Sequence, residues 1–137
     1  MKRILIVAAA AAALFAAGCG ESQQFTEDFN EAQKPLEQLL SDVSSSAGSP
    51  DSAKMDKLAD GLDDTAEKIA ALDAPGDAKD ELDTFVKEVK ASADSMRDVG
   101  KAVEGGKPED MTAAVGKLSE SMGKVGSAQT ALQNAIN

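Results

Sequence analysis

The chain has a single thiol, Cys19, in the stretch Leu14–Ser22, where an apolar run gives way to polar residues. A thiolate can act as a nucleophile, a metal ligand or half of a disulfide. The chain has no second cysteine to complete a disulfide and no histidine to take the thiol proton. Ser-His-Asp and Cys-His catalytic arrangements are therefore impossible, and zinc and haem sites lack their usual ligands. We expect no catalytic residue, no cofactor and no metal, and an enzymatic reaction would have to depend on carboxylates alone.

A second pattern that could do chemistry is the acidic segment Asp56–Glu67. It matches an EF-hand calcium loop at the first, fifth, sixth, ninth and twelfth positions. It fails at Leu58, where an oxygen ligand is needed, and at Asp63, where an apolar residue is usual. Because Leu58 and Leu62 also fit the apolar face of a helix, we interpret the acids as the solvated side of that helix.

Residues 1–18 have the pattern of an export signal. Lys2 and Arg3 supply a basic start, and residues 4–17 follow without a charged or polar side chain. A membrane-spanning helix needs about 20 apolar residues, so this run is too short to span. The pattern predicts a signal peptide over residues 1–18 and a single mature domain over residues 19–137.

The residues Ala16-Ala17-Gly18-Cys19 resemble the lipobox of bacterial lipoprotein signal peptides. The resemblance implies cleavage before Cys19, acylation of Cys19, and anchoring of the exported protein to the outer face of the cell membrane. That family prefers Leu, Ile or Val where this chain has Ala16. The alternative is ordinary cleavage after a small-residue site within residues 13–17, which leaves a free thiol, and a free thiol is a reactive liability outside the cell.

Composition limits the partners and the fold. The formal net charge is −10, and removal of Lys2 and Arg3 with the leader makes it more negative. Such a surface repels phosphate backbones, so we expect no nucleic-acid partner and membrane attachment only through lipid on Cys19. The chain has no tryptophan or tyrosine and is rich in alanine, leucine, glutamate and lysine, which favours helices over strands.

Turn signals at residues 48–50, 74–76 and 105–108 divide the mature chain. Between them, apolar residues recur at steps of three and four, which is typical of a helix's buried face. The pattern predicts helices at about 23–47, 50–73, 77–104 and 108–136, with short connections that favour antiparallel neighbours. The expected fold is all-α, an antiparallel up-down-up-down four-helix bundle. The expected core residues are Phe25, Phe29, Ala32, Leu36, Leu39, Val43, Met55, Leu58, Leu62, Ala66, Ile69, Leu72, Leu82, Phe85, Val89, Ala93, Met96, Val99, Val103, Met111, Val115, Leu118, Met122, Val125, Ala128 or Gln129, Leu132 and Ile136.

Two local features bear on the helix ends. Pro35 lies inside the first apolar stripe, where a proline costs about 3 kcal/mol, yet the stripe keeps its phase across it. We predict a kinked but continuous helix, and the alternative is a loose arm followed by a shorter helix from Pro35. The sequence Ser49-Pro50-Asp51 predicts the start of the second helix, with a cap followed by proline at the first helical position.

The leader together with an acidic, alanine-rich bundle resembles the small, mostly uncharacterised lipoproteins of high-GC Gram-positive bacteria. In these a segment like Leu72-Asp73-Ala74-Pro75 often separates bundle helices. The leading hypothesis is a non-enzymatic, lipid-anchored cell-envelope protein whose bundle is a structural or protein-interaction module, with an envelope protein as its partner. A first helix beginning near Gln23 or Phe25 would leave a tether of about five residues after Cys19.

The alternative hypothesis is a solute-binding or sensory bundle that holds a small apolar ligand between its helices. In that case Gly116 and Gly123, one heptad apart on the fourth helix, would line the space together with the methionines. Otherwise the glycines permit close helix approach and the methionines fill the core. The methionines on stripe positions are Met55, Met96, Met111 and Met122.

Overall fold

The computed structural model describes residues 20–46 and 51–136, and these form four helices without a strand. The predicted all-α four-helix arrangement is confirmed. In chain order the elements are α1 (Gly20–Ser46), α2 (Ser52–Ala70), a short 3-10 turn (Gly76–Ala78), α3 (Lys79–Gly105) and α4 (Pro108–Ile136).

Contacts between helix ends show that successive helices run antiparallel. At the start of α2, Ser52 Oγ donates to Glu104 Oε1 near the end of α3 at 2.6 Å. The backbone of α4 lies against the 3-10 turn that precedes α3. Further along, Gln129 Nε2 of α4 donates to Gln33 Oε1 of α1 at 3.0 Å. The helices therefore alternate in direction, as short connections require.

Helix α1 passes through Pro35 without a break, so the predicted continuity is confirmed and the loose-arm alternative is wrong. Pro35 is exposed, while Phe29 and Leu36 on either side are buried. The helix begins at Gly20, directly after Cys19. The expected tether of about five residues is therefore wrong, because residues 20–24 extend the helix backwards; Thr26 Oγ1, for example, donates to the Ser22 carbonyl.

Helix α2 is shorter than predicted at both ends. Its N-cap is Asp51, whose side chain accepts from the Lys54 backbone N–H at 2.9 Å, so the predicted start at residue 50 is wrong. The carboxylate satisfies a backbone donor of the first turn; Ser49 and Pro50 lie outside the described residues. The helix ends at Ala70, before the predicted residue 73; the N–H groups of Ala71 and Leu72 close its last turn by donating to the carbonyls of Glu67 and Ile69.

Helix α3 begins at Lys79 and not at residue 77, because residues 76–78 form the 3-10 turn. Its end is fixed by Gly106, which has a left-handed φ of 64°. The Gly106 N–H donates to the carbonyls of Ala102 and Val103, which satisfies groups that the helix end leaves unpaired. Only glycine adopts this conformation without strain.

One core draws on all four helices. The predicted stripe residues whose side chains are described are buried or half-buried, except Val115, which is 48% exposed. Ala114, 7% exposed, takes the core position, while the predicted Leu118 and Val125 stay buried: the buried face of α4 differs from the prediction only near the start of the helix. The side chain of Val43 lies outside the described ones.

The core is aromatic towards the start of α1. The Phe25 and Phe29 rings stack with centroids 6.0 Å apart, and the Phe29 ring meets Phe85 of α3 edge-on at 5.4 Å. The backbones of α2 and α3 approach closely, and both helices bury alanines completely, among them Ala66 and Ala93. Small side chains permit this approach, since nothing larger keeps the backbones apart.

Candidate functional site

The predicted lipidation residue Cys19 and the leader over residues 1–18 lie outside the described residues. The described chain begins one residue later, with the first turn of α1. None of the described helices combines the length and apolar character needed to cross a membrane.

The acidic segment Asp56–Glu67 lies entirely within α2. A calcium loop cannot form there, because its ligands must converge from a turning loop and not from a straight helix. Within the described residues, no group of three or more metal-ligating side chains is placed to hold an ion. The interpretation of the acids as a fully solvated face is too simple, since two of them pair with α3.

Arg97 of α3 joins those acids, a contact that sequence reasoning missed. Its Nη2 lies 2.9 Å from Asp60 Oδ1 and 2.7 Å from Asp63 Oδ2, and its Nη1 lies 3.5 Å from Asp94. Hydrogen bonds to Asp63 and then Asp60 raise the guanidinium pKa above its ordinary value. The sequence feature that could have pointed to this cluster is that Arg97 is the one arginine beyond residues 1–18. The cluster joins α2 to α3.

A second charged contact lies on the surface of α4. Lys124 Nζ is 2.9 Å from Glu120 Oε1, and this hydrogen bond and charge lower the pKa of the Glu120 carboxyl. A carboxylic acid acting in general acid catalysis needs its pKa shifted upwards towards neutrality. The environment of Glu120 acts in the opposite direction.

A cavity of about 120 Å³ lies among the helices near the middle of the bundle; we call it the central cavity. All four helices contribute to its wall. The wall is apolar apart from Ser92 and Gln129, and the Ser92 hydroxyl donates to the Glu88 carbonyl of its own helix. The lining residues are Leu36 of α1, Leu62 of α2, Val89, Ser92 and Met96 of α3, and Met122, Val125, Gly126 and Gln129 of α4.

The central cavity lies elsewhere on α4 than the sequence predicts. Gly116 and Gly123 are exposed, and a Cβ built on either meets no atom within 4 Å. Gly126 lines the cavity instead. Gly116 and Gly123 therefore lie on the solvent side of α4, as Val115 does.

The methionines divide into two pairs. Met96 and Met122 line the central cavity. Met55 is buried near the start of α2, where its Cβ lies 3.4 Å from a Cβ built on Gly100. Met111 is half-buried at the start of α4. The expectation that methionines line a cavity holds for two of the four.

Helices α1 and α4 both contribute to the wall of the central cavity, and we call the border between them the α1–α4 seam. Over the described residues, α1 brings its backbone close to α2 but not comparably close to α4. Gln129 of the cavity wall donates to Gln33 across the seam, and Gln33 Nε2 in turn donates to Asn30 Oδ1 at 3.2 Å. Neutral amides therefore bridge the seam.

The central cavity has an energetic cost. Unfilled volume in a core lowers stability, because the lining side chains lose dispersion contacts. Gly126 lowers it by up to about 1 kcal/mol more relative to alanine, since glycine is a poor helix former. Both costs arise at the same place on α4.

A second, larger depression lies at the end of the bundle where α1 begins. Its volume is about 370 Å³, and it lies between Gln24, Phe25 and Asp28 of α1 and the connection over residues 72–76. Asp28 and Asp73 make its surroundings acidic.

The side of α4 that borders the α1–α4 seam carries no charge. Val115, Ser119, Gly126 and Thr130 follow one another at helical spacing; we call these four residues the uncharged face. The charged residues of the same stretch, Lys117, Glu120 and Lys124, fall on a different side. In a chain of net charge −10, this is an unusual surface.

No protein-family model matches the chain, and neither the curated proteins nor the solved structures include one that is significantly similar to it. Function is therefore argued from the chain's own residues.

Proposed function

We propose that the chain is a non-enzymatic, exported protein held at the outer face of the cell membrane by lipid on Cys19, with its helical bundle acting as an interaction module. The observation that carries the proposal is the position of Cys19. It follows a basic start, a short apolar run and three small residues, and it directly precedes α1. An acylated Cys19 would thus join the lipid to a helix without an intervening linker.

This connection determines how the bundle would stand on the membrane. Helix α1 has 27 residues and is about 40 Å long at 1.5 Å per residue. The start of α1, the connection over residues 72–76 and the end of α4 would face the bilayer, and the Gly106 turn would lie farthest from it. Asp28 and Asp73 at the near end would be repelled by anionic headgroups, so attachment would depend on the acyl chains.

The interaction role draws its support from the uncharged face. Val115 is 48% exposed, and neighbouring positions carry small or neutral side chains. Burying such a surface against a partner removes apolar area from water without stripping solvent from charges. We propose that this face contacts a protein of the envelope.

Acyl labelling tests the location. Cells producing the wild-type chain, Cys19→Ala or Cys19→Ser are grown with a labelled fatty acid and then fractionated. We expect label and membrane association in the wild type and neither in the two variants. Ser22→Ala is the matched control, since it changes a nearby polar side chain but keeps the thiol. A membrane-bound Cys19→Ala protein, or an unlabelled wild type, would contradict the proposal.

Site-directed photo-cross-linking tests the role. A photoreactive residue at Ser119 lies on the uncharged face, and the same residue at Lys90 on α3 is the control, since both positions are exposed. We expect an adduct of defined mass from position 119 in intact cells, lost when Val115→Lys adds a charge beside it. Equal adducts from both positions would contradict a specific contact.

A further inference from the structure

We propose that the central cavity is a binding site for a compact, uncharged apolar molecule about the size of one aromatic ring. This inference goes beyond the proposed envelope role and does not depend on the modification of Cys19. It rests on the volume, the lining and the accessibility of the cavity.

Volume and lining set the class of ligand. The cavity measures about 120 Å³, which is close to the roughly 150 Å³ of an engineered apolar cavity that binds benzene or xenon. Leu36, Leu62, Val89 and Val125 surround it with aliphatic carbon. A charged or strongly polar solute would lose its hydration without gaining a partner, whereas an apolar one would replace missing dispersion contacts.

The α1–α4 seam provides access. Neutral amide groups of Gln33 and Gln129 bridge the seam, and exchanging that hydrogen bond for water costs little. The uncharged face of α4, which borders the seam, has no charged side chain that an entering molecule would strip of water. A small apolar molecule can therefore reach the cavity while the tightly packed α2 and α3 keep their positions.

Two features favour a binding site over a packing defect. Gly126 lines the wall and has no side chain to fill the space. Met96 and Met122 lie on the wall, and their unbranched, polarisable side chains adapt to ligands of different shape. Flexible side chains beside an unfilled volume would allow the site to close around a guest.

The methionines supply the test. The full-length protein, labelled with ¹³C in its methionine methyl groups, is titrated with benzene and separately with xenon. We expect saturable shifts at Met96 and Met122 and none at Met55 and Met111, which lie outside the cavity wall. The absence of shifts at Met96 and Met122, or equal shifts at Met55 and Met111, would overturn the proposal.

A matched pair of variants locates the site. Gly126→Leu adds a side chain at a residue of the cavity wall, and Gly123→Leu adds the same side chain on the same helix at a residue that does not line the cavity; both glycines are exposed. We expect Gly126→Leu to weaken benzene binding at least about tenfold and Gly123→Leu to leave it unchanged. Both variants gain helix propensity, and thermal melting checks that they stay folded. Undiminished binding by folded Gly126→Leu, or equal loss in both variants, would overturn the assignment.

Discussion

Helices α2 and α3 approach each other closely, as do α3 and α4, whereas α1 and α4 do not, and both line the central cavity. Across the α2–α3 interface run the ion pairs of Arg97 and the hydrogen bond from Ser52 to Glu104. Across the α1–α4 seam, neutral glutamines meet. One interface is charged at its border and dense inside, and the other is neutral at its border and hollow inside.

The difference shows how one bundle can combine a rigid part with an adaptable one. Alanines at the α2 and α3 packing positions allow backbone approach and leave little volume to fill. Leu36 of α1 and Met122 of α4 both line the central cavity and leave it unfilled. Because α4 packs on α3 as closely as α2 does, α1 is the most weakly held helix, and any response to a ligand would occur at α1 and along the seam that it shares with α4.

The largest expected effect comes from removing the aromatic contact that holds α1 on the rigid part. Phe85 is fully buried and meets Phe29 of α1. We expect Phe85→Ala to lower the free energy of unfolding by about 3–5 kcal/mol, measured by urea denaturation. In hydrogen exchange, α1 amides should lose more protection than α2 amides. Equal loss in both helices would mean that α1 is not the more weakly held one.

The next prediction compares the same substitution at the α2–α3 interface and at the α1–α4 seam. A Cβ on Gly100 lies 3.4 Å from Met55 Cβ and 3.5 Å from the Ser52 carbonyl, whereas a Cβ on Gly126 meets nothing within 4 Å. We expect Gly100→Leu to destabilise by about 1–3 kcal/mol through overpacking. Gly126→Leu should stabilise by up to about 1 kcal/mol, since leucine is a better helix former.

Denaturant midpoints at unchanged slope measure both variants. Because the two substitutions are identical, helix propensity changes equally, and the difference reports packing alone. Destabilisation of the same size at Gly100 and Gly126 would show that the α1–α4 seam is as dense as the α2–α3 interface.

The fold could be predicted from the sequence because each helix repeats its apolar residues over several turns. The stripe kept its phase across Pro35, and continuity followed from that. Helix ends were less predictable, since Asp51 and not Ser49 caps α2, a choice between adjacent polar residues that periodicity does not make. In α4, small residues flank the stripe on both sides, so the pattern did not distinguish Val115 from Ala114.

The sequence predicted that a space could lie between the helices, but it did not predict which residues line that space. Glycines and methionines on α4 suggested a space between helices, but which glycine borders it depends on the rotation of α4. Gly123 and Gly126 lie about 60° apart around the helix, and only Gly126 lines the wall. The Arg97 cluster depends on the register between α2 and α3, which one helix's own sequence does not fix.

A smaller effect tests the charged border of the rigid interface. Arg97 is 30% exposed and bridges Asp60 and Asp63 of α2. We expect Arg97→Gln to lower the free energy of unfolding by about 0.5–1 kcal/mol, the upper part of the range for partly exposed pairs. The loss should shrink as salt rises. Lys101→Gln is the control, since its pair with Asp98 is more exposed and its removal should have no measurable effect.

The smallest effect concerns the ion pair on the outer surface of α4, away from both interfaces. Lys124 lowers the pKa of Glu120, and Glu120 raises the pKa of Lys124. A lowered carboxyl pKa contributes stability above the unfolded-state value, and that contribution is lost as the pH falls through the folded-state value.

Because both side chains are more than half exposed, solvent screens the pair. NMR titration should therefore find the Glu120 pKa below its ordinary value in the wild type and returned towards it in Lys124→Gln, while the melting temperature at neutral pH stays unchanged. A clear fall in melting temperature would mean that this surface is held by charge, and that the two interfaces alone do not determine the stability of α4.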